Sequence, residues 1–305
     1  MRNKRHLDQA GLDELLRQAG VDPASATAYD ELTEGTFNTV YRIGRSGGDL
    51  MLKLSPDPAA PVLTYENGLI RTETEYYRAA LGKAPVPEVV HAGDDFLLMS
   101  ALPGRTLFSQ ADAITERAAL RRELGELVAG LHQITGPGFG YPQQGLVDRW
   151  STAFLSMVDD VLRDAARFQV DIPGDQVRRL VLDRIDLLDG VQTAVLIHFD
   201  LWDGNILVED GRITGLIDGE RAFWGDPVAE FVSLTLFGAL DGALDDDLLA
   251  GYGSPVDAEK LSLYRVYLYL IMLIEGTPRG YGPEHEQLTR LVRRHLTREL
   301  KELGP

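Results

Sequence analysis

The sequence predicts an α+β fold in two lobes, an N-terminal antiparallel sheet with one helix followed by a mainly helical C-terminal lobe. Three observations carry that expectation. Two alternating apolar runs, at 38–44 and 49–55, flank the tetrapeptide RSGG, the pattern of a hairpin closed by glycines. A helical apolar period takes over at 65–81, and leucines at 120, 124, 127 and 131 form one stripe at 118–135. A second hairpin, NILV and ITGLI around Asp210-Gly211, interrupts a C-terminal half that is otherwise helical in pattern.

The elements follow in order. Residues 6–19 carry leucines at 7, 12, 15 and 16 and read as an amphipathic helix ahead of the main fold, with no role assigned by its own residues. In the first hairpin the two-residue period of a strand turns Lys53 away from Leu52 and Leu54. In the helix at 65–81 the two glutamates of RTETEYY have different neighbours. Glu75 stands among Arg71, Thr72, Arg78 and Ala79 on a polar face. Glu73 stands among Leu69, Ile70, Tyr76 and Tyr77, where a carboxylate is costly unless paired, and Lys53 is the predicted partner. A strand at 95–100 runs into Leu102-Pro103-Gly104, which closes the first lobe. The expected boundaries are 1–101 for the N-terminal lobe and 102–305 for the helical lobe. His132 ends the leucine stripe and reads as structural. GPGFGYP at 136–142 breaks that helix, and 150–190 and most of 228–301 are again helical in pattern.

Composition narrows the function. A length of 305 residues suits roughly two domains of about 150 residues. The longest apolar stretch, Tyr267 to Ile274, is far shorter than the roughly 18 to 20 residues of a membrane span. The N-terminal stretch lacks the apolar core of about 7 to 15 residues that a signal peptide needs, so a cytoplasmic protein is expected. The absence of cysteine excludes disulfides and thiol nucleophiles. A net charge of −17 excludes a phosphate-backbone partner and leans toward cationic ones, although solubility alone would also account for it. Either a monomer or a homodimer is compatible with these features.

The chemistry concentrates between Ile197 and Asp218. Pairing outward from Asp210-Gly211 sets Asn205 opposite Leu216, which brings Asp218 to the same end of the ribbon. An amide oxygen and a carboxylate there are hard donors suited to magnesium. Asp200 emerges at that end through a short loop, placed to address a substrate hydroxyl. The spacing His198-x-Asp200-x(4)-Asn205, followed by Asp218, matches the protein-kinase catalytic loop and its downstream metal-binding aspartate. Upstream, EGTFNTVYRI at 34–43 makes a short glycine turn whose backbone N–H groups are placed to cover phosphates, with Gly35, Thr36 and Asn38 as the candidates. His198 reads as a packing residue, and Asp226 before Pro227 as a helix N-cap. Trp202 and Asp203, between Asp200 and Asn205, are candidates for touching substrate. Glu275, ending the apolar run, is a further candidate, with a solvated helix end as the alternative.

HFDLWDGNILV resembles the H-G-D-L-x-x-x-N-I-L signature of the aminoglycoside phosphotransferase and choline kinase relatives of the protein-kinase fold, and the resemblance extends over nearly the whole chain. It implies a bilobal protein-kinase-like fold and an ATP- and magnesium-dependent kinase of small molecules, with GTP open as the donor. By that resemblance Asp200 would be the catalytic base and Asn205 and Asp218 the magnesium ligands. Lys53, held by Glu73, would bind the nucleotide phosphates. LLMSALPG would be the hinge, with Met99 behind the adenine and the Ser100 carbonyl and Leu102 N–H as its hydrogen-bonding groups. Two positions depart from the pattern: Phe199 replaces a usual Gly or Asn, and Gly219 replaces a usual aromatic. The absence of a lysine two residues after Asp200, and of a long segment between Asp218 and the GDP at 225–227, argues against a protein substrate. An antibiotic or related natural product is the leading acceptor. Metabolic acceptors of choline, homoserine, sugar or fructosamine type compete with it, and a catalytically silent nucleotide-binding module is a more distant alternative.

Overall fold

The computed structural model describes residues 4–33, 35, 37–112, 114–236 and 244–304. Strands β1 (Ala26–Leu32), β2 (Thr39–Arg45), β3 (Leu50–Leu54), β4 (Val89–Ala92) and β5 (Phe96–Ser100) form one antiparallel sheet in the order β1-β2-β3-β5-β4. The register sets Leu52 between Tyr41 and Leu98, and the next residue, Lys53, between Val40 and Leu97. One face of the sheet therefore carries Tyr41, Ile43, Leu50, Leu52, Leu54, Phe96 and Leu98. The opposite face carries Lys53 with Leu97 and Met99.

A sheet apolar on both faces needs two covers. Helix α1 (Gln9–Gln18), capped by the Asp8 side chain, lays Leu12 and Leu16 on the first face. The leading helix, without a role in the sequence, is thus the outer layer of the sheet. Helix α2 (Leu69–Ala80) covers the second face with Leu69, Ile70, Tyr76 and Tyr77. The helix expected over 65–81 starts later because Gly68 turns the chain with φ 82°, and Thr64–Glu66 forms a separate 3-10 turn before it.

Beyond the sheet the chain is mostly helical: α3 (Arg117–Leu131), α4 (Trp150–Arg167), α5 (Gly174–Leu182), α6 (Ile185–Asp189), α7 (Phe231–Leu234), α8 (Asp246–Tyr252), α9 (Ala258–Ile274), α10 (Gly276–Arg279) and α11 (Glu286–Glu302). Every residue of α9 from Leu263 to Ile271 is buried, so the longest apolar run of the sequence is a helix enclosed on all sides. Among the described residues no helix is long and apolar enough to cross a membrane.

Five short strands complete the fold: β6 (Arg105–Thr106), β7 (Val195–Ile197), β8 (Ile206–Glu209), β9 (Arg212–Leu216) and β10 (Phe223–Gly225). They form the ladders β6-β8-β9 and β10-β7. The β8–β9 hairpin turns through Asp210 and Gly211, both with positive φ (50° and 74°), as a two-residue I′ turn requires. Its register corrects the expected pairing by one residue. Val208 faces Ile213 but Leu207 faces Gly215, so Thr214 is an extra residue in a bulge. Thr214 is drawn out of the ladder by its hydroxyl, which donates to the Pro103 carbonyl at 2.7 Å. Asn205 consequently pairs with Ile217, whose N–H donates to the Asn205 carbonyl at 3.0 Å, and Asp218 follows immediately.

Leu16 is fully buried between α1 and the sheet. Leu16→Ala should lower unfolding free energy by about 2 to 4 kcal/mol in urea titrations. A loss below about 0.5 kcal/mol would mean that α1 unfolds apart from the sheet it covers.

Candidate active site

Lys53 is the centre of the site. Its side chain is 4% exposed, and its Nζ lies 2.7 Å from Glu73 Oε2, 2.5 Å from Asp218 Oδ1 and 2.7 Å from Glu220 Oε2. The predicted pairing with Glu73 is present, and two further carboxylates share the ammonium. Burial opposes the charge on Lys53, yet Asp218, Glu220 and Glu73 together hold it well above its ordinary value. Three carboxylates against one cation leave an excess of negative charge. Burial pushes Glu73 up to about 7 despite Lys53, with Asp218 and Glu220 adding repulsion. Burial also works against Asp218, whose side chain keeps 39% exposure, but Lys53 holds it below its ordinary value. Tyr77 ties the cluster together: its hydroxyl donates to Glu73 Oε1 at 2.8 Å and accepts from the Asp218 N–H at 2.9 Å.

The loop that carries Asp200 is gripped through its backbone. Glu230, fully buried, accepts the N–H of His198 at 2.8 Å and that of Phe199 at 2.9 Å. Ser233 Oγ accepts the N–H of Leu201 at 2.9 Å, and Asn205 donates its amide to the Asp200 carbonyl at 2.8 Å. His198 is fully buried beside the edge of the Tyr76 ring, and its Nδ1 accepts the Asp200 N–H at 3.2 Å. Its Nε2 then carries the proton to the Ile217 carbonyl at 3.0 Å. Burial depresses the His198 pKa, so the ring is a neutral brace. The structural reading of His198 agrees with this placement.

Both departures noted in the sequence have a local cause. Phe199 has φ 68°, a left-handed conformation that costs a side-chain-bearing residue about 1 to 2 kcal/mol and explains why Gly or Asn suits the position. Its ring is buried against Phe223 and Tyr267, with centroids at 5.0 and 5.8 Å, which offsets the strain. At Gly219 a Cβ would lie 2.3 Å from the Tyr76 ring, so the space for a side chain there is already taken.

The remaining candidates divide. Asn38 Nδ2 donates to Glu220 Oε2 at 2.5 Å, joining the glycine turn to the Lys53 cluster. Gly35 is exposed beside it, and Thr36 lies outside the described residues. Met99 is buried on β5, directly opposite Met51. Ser100 spends its N–H and its Oγ on Glu88, and Leu102 packs where a side chain at Gly215 would stand. Trp202 is half-open to solvent, and Asp203 is paired with Arg117 at 2.9 Å. Glu275 is neither solvated nor free: it is buried, 2.8 Å from Arg221 and 3.1 Å from Arg279. Asp226 caps its turn at Val228 N–H as expected.

Sequence reasoning missed Tyr77, Glu220, Arg221 and Glu230. Arg221 places Nε 3.6 Å from Asp200 Oδ2 while its other end holds Glu275. Burial, and then the carboxylates of Asp218, Glu275 and Glu220, push Asp200 up to about 7 against the pull of Arg221. Asp200 keeps 20% of its side chain exposed, so the carboxyl is open to a substrate. For a cation, Glu73, Asp218 and Glu220 offer carboxylate oxygens within 4.8 Å of one another. The Asn205 amide donates to backbone, which leaves its oxygen for another partner. Glu73 and Glu220 are spent on Lys53, so the donors that fit magnesium are the half-exposed Asp218 carboxylate and the Asn205 oxygen.

A family model described as the phosphotransferase enzyme family matches residues 29–264. Hygromycin-B 4-O-kinase of Escherichia coli is 24% identical over 217 residues, covering 67% of this chain and 60% of that protein. This chain thus spans less than two thirds of that relative's length. Homoserine kinase of Gluconacetobacter diazotrophicus is 26% identical over 265 residues, 79% of this chain and 77% of its own. A Thermobifida fusca protein assigned as a fructosamine-3-kinase superposes with a TM-score of 0.70 at 22% identity, covering 96% of this chain and 100% of that one. A thermostable mutant of aminoglycoside phosphotransferase APH(4)-Ia, in a ternary complex with ADP and hygromycin B, gives 0.66 at 19% identity, covering 96% and 98%. The shared fold is protein-kinase-like.

Two outcomes follow from the geometry. Phe199→Gly relieves the backbone strain but removes a buried ring whose loss alone costs about 3 to 5 kcal/mol, so a net loss of about 1 to 4 kcal/mol is expected in denaturant titrations. A stabilised variant would overturn that balance. Asp200 and Glu73 bind protons more tightly folded than unfolded, so their contribution to stability falls as pH rises from about 4 through about 7. In nucleotide-free protein Asp200→Asn should therefore melt above wild type at pH 8, with the margin shrinking toward pH 5. A lower melting temperature at pH 8 would contradict the raised carboxyl.

Proposed function

Since the chain belongs to the phosphotransferase enzyme family, we propose that it transfers the γ-phosphoryl group of ATP to a hydroxyl of a small molecule, with Asp200 as the group that receives or orients the hydroxyl proton. The observation that carries this reading is the convergence of Lys53 from β3, Asp200 and Asn205 from one loop, and Asp218 from the turn after β9. Lys53, already cationic and buried, supplies positive charge for phosphate oxygens. Asn38 and Gly35 lie on the turn that would cover those phosphates, and Met99, Ser100 and Leu102 border the place for the base. Asn205 and Asp218 would hold magnesium, with Glu220 adjacent. The metal, when bound, neutralises phosphate charge.

The protein's own part is orientation. Asp200 sits on a backbone fixed by Glu230, Ser233 and Asn205, so little reorganisation is needed when an acceptor arrives. In the metal-free protein, burial and the neighbouring carboxylates raise its affinity for a proton. Arg221 stands beside it as a counter-charge.

For the acceptor, the leading reading is an antibiotic or related natural product bearing positive charge. A net charge of −17 and a cluster rich in carboxylates favour a cation. The hygromycin kinase relative and the hygromycin-bound neighbour agree with that reading. A metabolic acceptor is the second reading, favoured by the homoserine kinase relative and the fructosamine-3-kinase-like neighbour. A cytoplasmic location fits either one.

A nucleoside-diphosphate release screen over aminoglycosides, other hydroxyl-bearing antibiotics, glycated amines, homoserine and choline is the direct test. Asp200→Ala should lower turnover on any accepted substrate by about 10² to 10⁴. Turnover within a few-fold of wild type would remove Asp200 from its role.

A further inference from the structure

Phe108 and Trp202 are large apolar side chains left open to solvent, 65% and 37% exposed. Their ring centroids are 5.5 Å apart with planes tilted by 57°, so the pair forms an open corner. The position of this corner is built by the chain. Phe108 N–H donates to the Asp203 carbonyl at 2.9 Å and Leu107 N–H to the Ile206 carbonyl at 2.8 Å, zipping the segment after the hinge onto the loop that carries Asp200. Arg117 of α3 clamps the Asp203 carboxylate at 2.9 Å. At Gly204 a Cβ would lie 2.1 Å from the Trp202 indole, so the ring folds back over its own loop, and only glycine allows it. Trp202 is two residues from Asp200, which limits their Cα separation to about 7.6 Å.

Open aromatic area beside a reactive carboxyl is a recognition surface, because its hydration is released only when something flat covers it. We infer that Phe108 and Trp202 form the acceptor platform, taking the C–H face of a saturated, carbohydrate-like ring whose hydroxyl is delivered to Asp200. The inference rests on the phosphotransfer reading above and narrows its acceptor. A ring with polar edges meets the rings below and the Asp203–Arg117 pair at the rim. Homoserine has no face wide enough to cover two rings, and the trimethylammonium of choline, which aromatic faces also attract, is the competing occupant whose tighter binding would overturn the platform. Phe108 and Trp202 are then specificity-determining residues that discriminate cyclic from acyclic acceptors.

The test is calorimetry of the full chain with a non-hydrolysable ATP analogue and magnesium, titrated with two ring-bearing acceptors, an aminoglycoside and a glycated amine, and two acyclic ones, homoserine and choline. At least one ring-bearing compound should bind more tightly than both acyclic ones. Trp202→Ala should weaken that binding about 10-fold and Phe108→Ala about 3-fold, with Trp202→Phe recovering most of the loss. Phe108 is mostly exposed, so its variant reports on binding even if the Trp202 variants fold poorly. The platform is overturned if the acyclic compounds bind best, if nothing in the panel binds, or if neither alanine variant changes Kd by twofold. Diphosphate release on the same panel separates the two ideas. Ring binding without transfer would sink the phosphotransfer reading and keep the platform. Transfer with an unchanged KM and a lowered kcat in Trp202→Ala would keep the reading and sink the platform.

Discussion

The ammonium of Lys53 is the contact on which the rest of the site depends. It sits on the inner face of the sheet, and its three carboxylate partners come from α2 and from the turn after β9. Burying one cation among three anions fixes where α2 lies on the sheet and where the Asp218 turn lies beneath it, because an unpaired member of such a cluster is costly. The same imbalance reaches outward. The excess negative charge helps raise Glu73 and Asp200, and Arg221 becomes necessary beside Asp200 as a counterweight. The packing of α2 and the electrostatics of the site are therefore set by one count of charges.

Around that centre, precision comes from the main chain rather than from side-chain packing alone. A loop is usually a poor place for a reactive group, yet the residues flanking Asp200 give their N–H groups to buried acceptors on the 3-10 turn and helix that follow β10. Those acceptors also allow Phe199 to hold a left-handed conformation, with its ring anchored among Phe223 and Tyr267. Strain in the backbone and burial of the ring act on one residue in opposite directions, and burial is the larger effect.

Much of this was legible in the sequence wherever a residue violated its own pattern. Glu73 on an apolar helical face called for a cation, and Lys53 faced the right way to supply it. Asn205 and Asp218 were brought to one end by hairpin counting. The one-residue error in that count has its source in Thr214, whose hydroxyl bonds to Pro103, 111 positions away, and no local pattern encodes such a contact. Glu220 and Arg221 were overlooked because charged residues in a turn ordinarily face solvent. Glu275 looked like a solvated helix end because one of its two neutralising arginines is 54 positions earlier, and the other, Arg279, four residues on, reads in the sequence as an ordinary surface pair. The amphipathic pattern of α1 showed that it packs but not on what, and β4, β6, β7 and β10, of two to four residues with no tight turn signal beside them, are too short to leave a period.

The bulge at Thr214 also governs how this hairpin tolerates changes in length. Hairpins on a surface commonly accept insertions and deletions at their tips. Here the spacing from the Asp210-Gly211 turn to Asp218 sets which face of the ribbon each residue occupies. Removing the extra residue of the bulge would restore an uninterrupted ladder and leave Leu216 opposite Ile206, whereas removing a residue after the bulge would carry Asp218 into the place of Ile217 and turn it away from Lys53. A deletion after the bulge therefore removes Asp218 from the Lys53 cluster in one step, while one at the bulge itself is absorbed. The bulge thus decides on which side of Thr214 the segment can lose a residue, while Gly215, where a side chain would meet Leu102 at 2.7 Å, and the fully buried Leu216 constrain its letters as well.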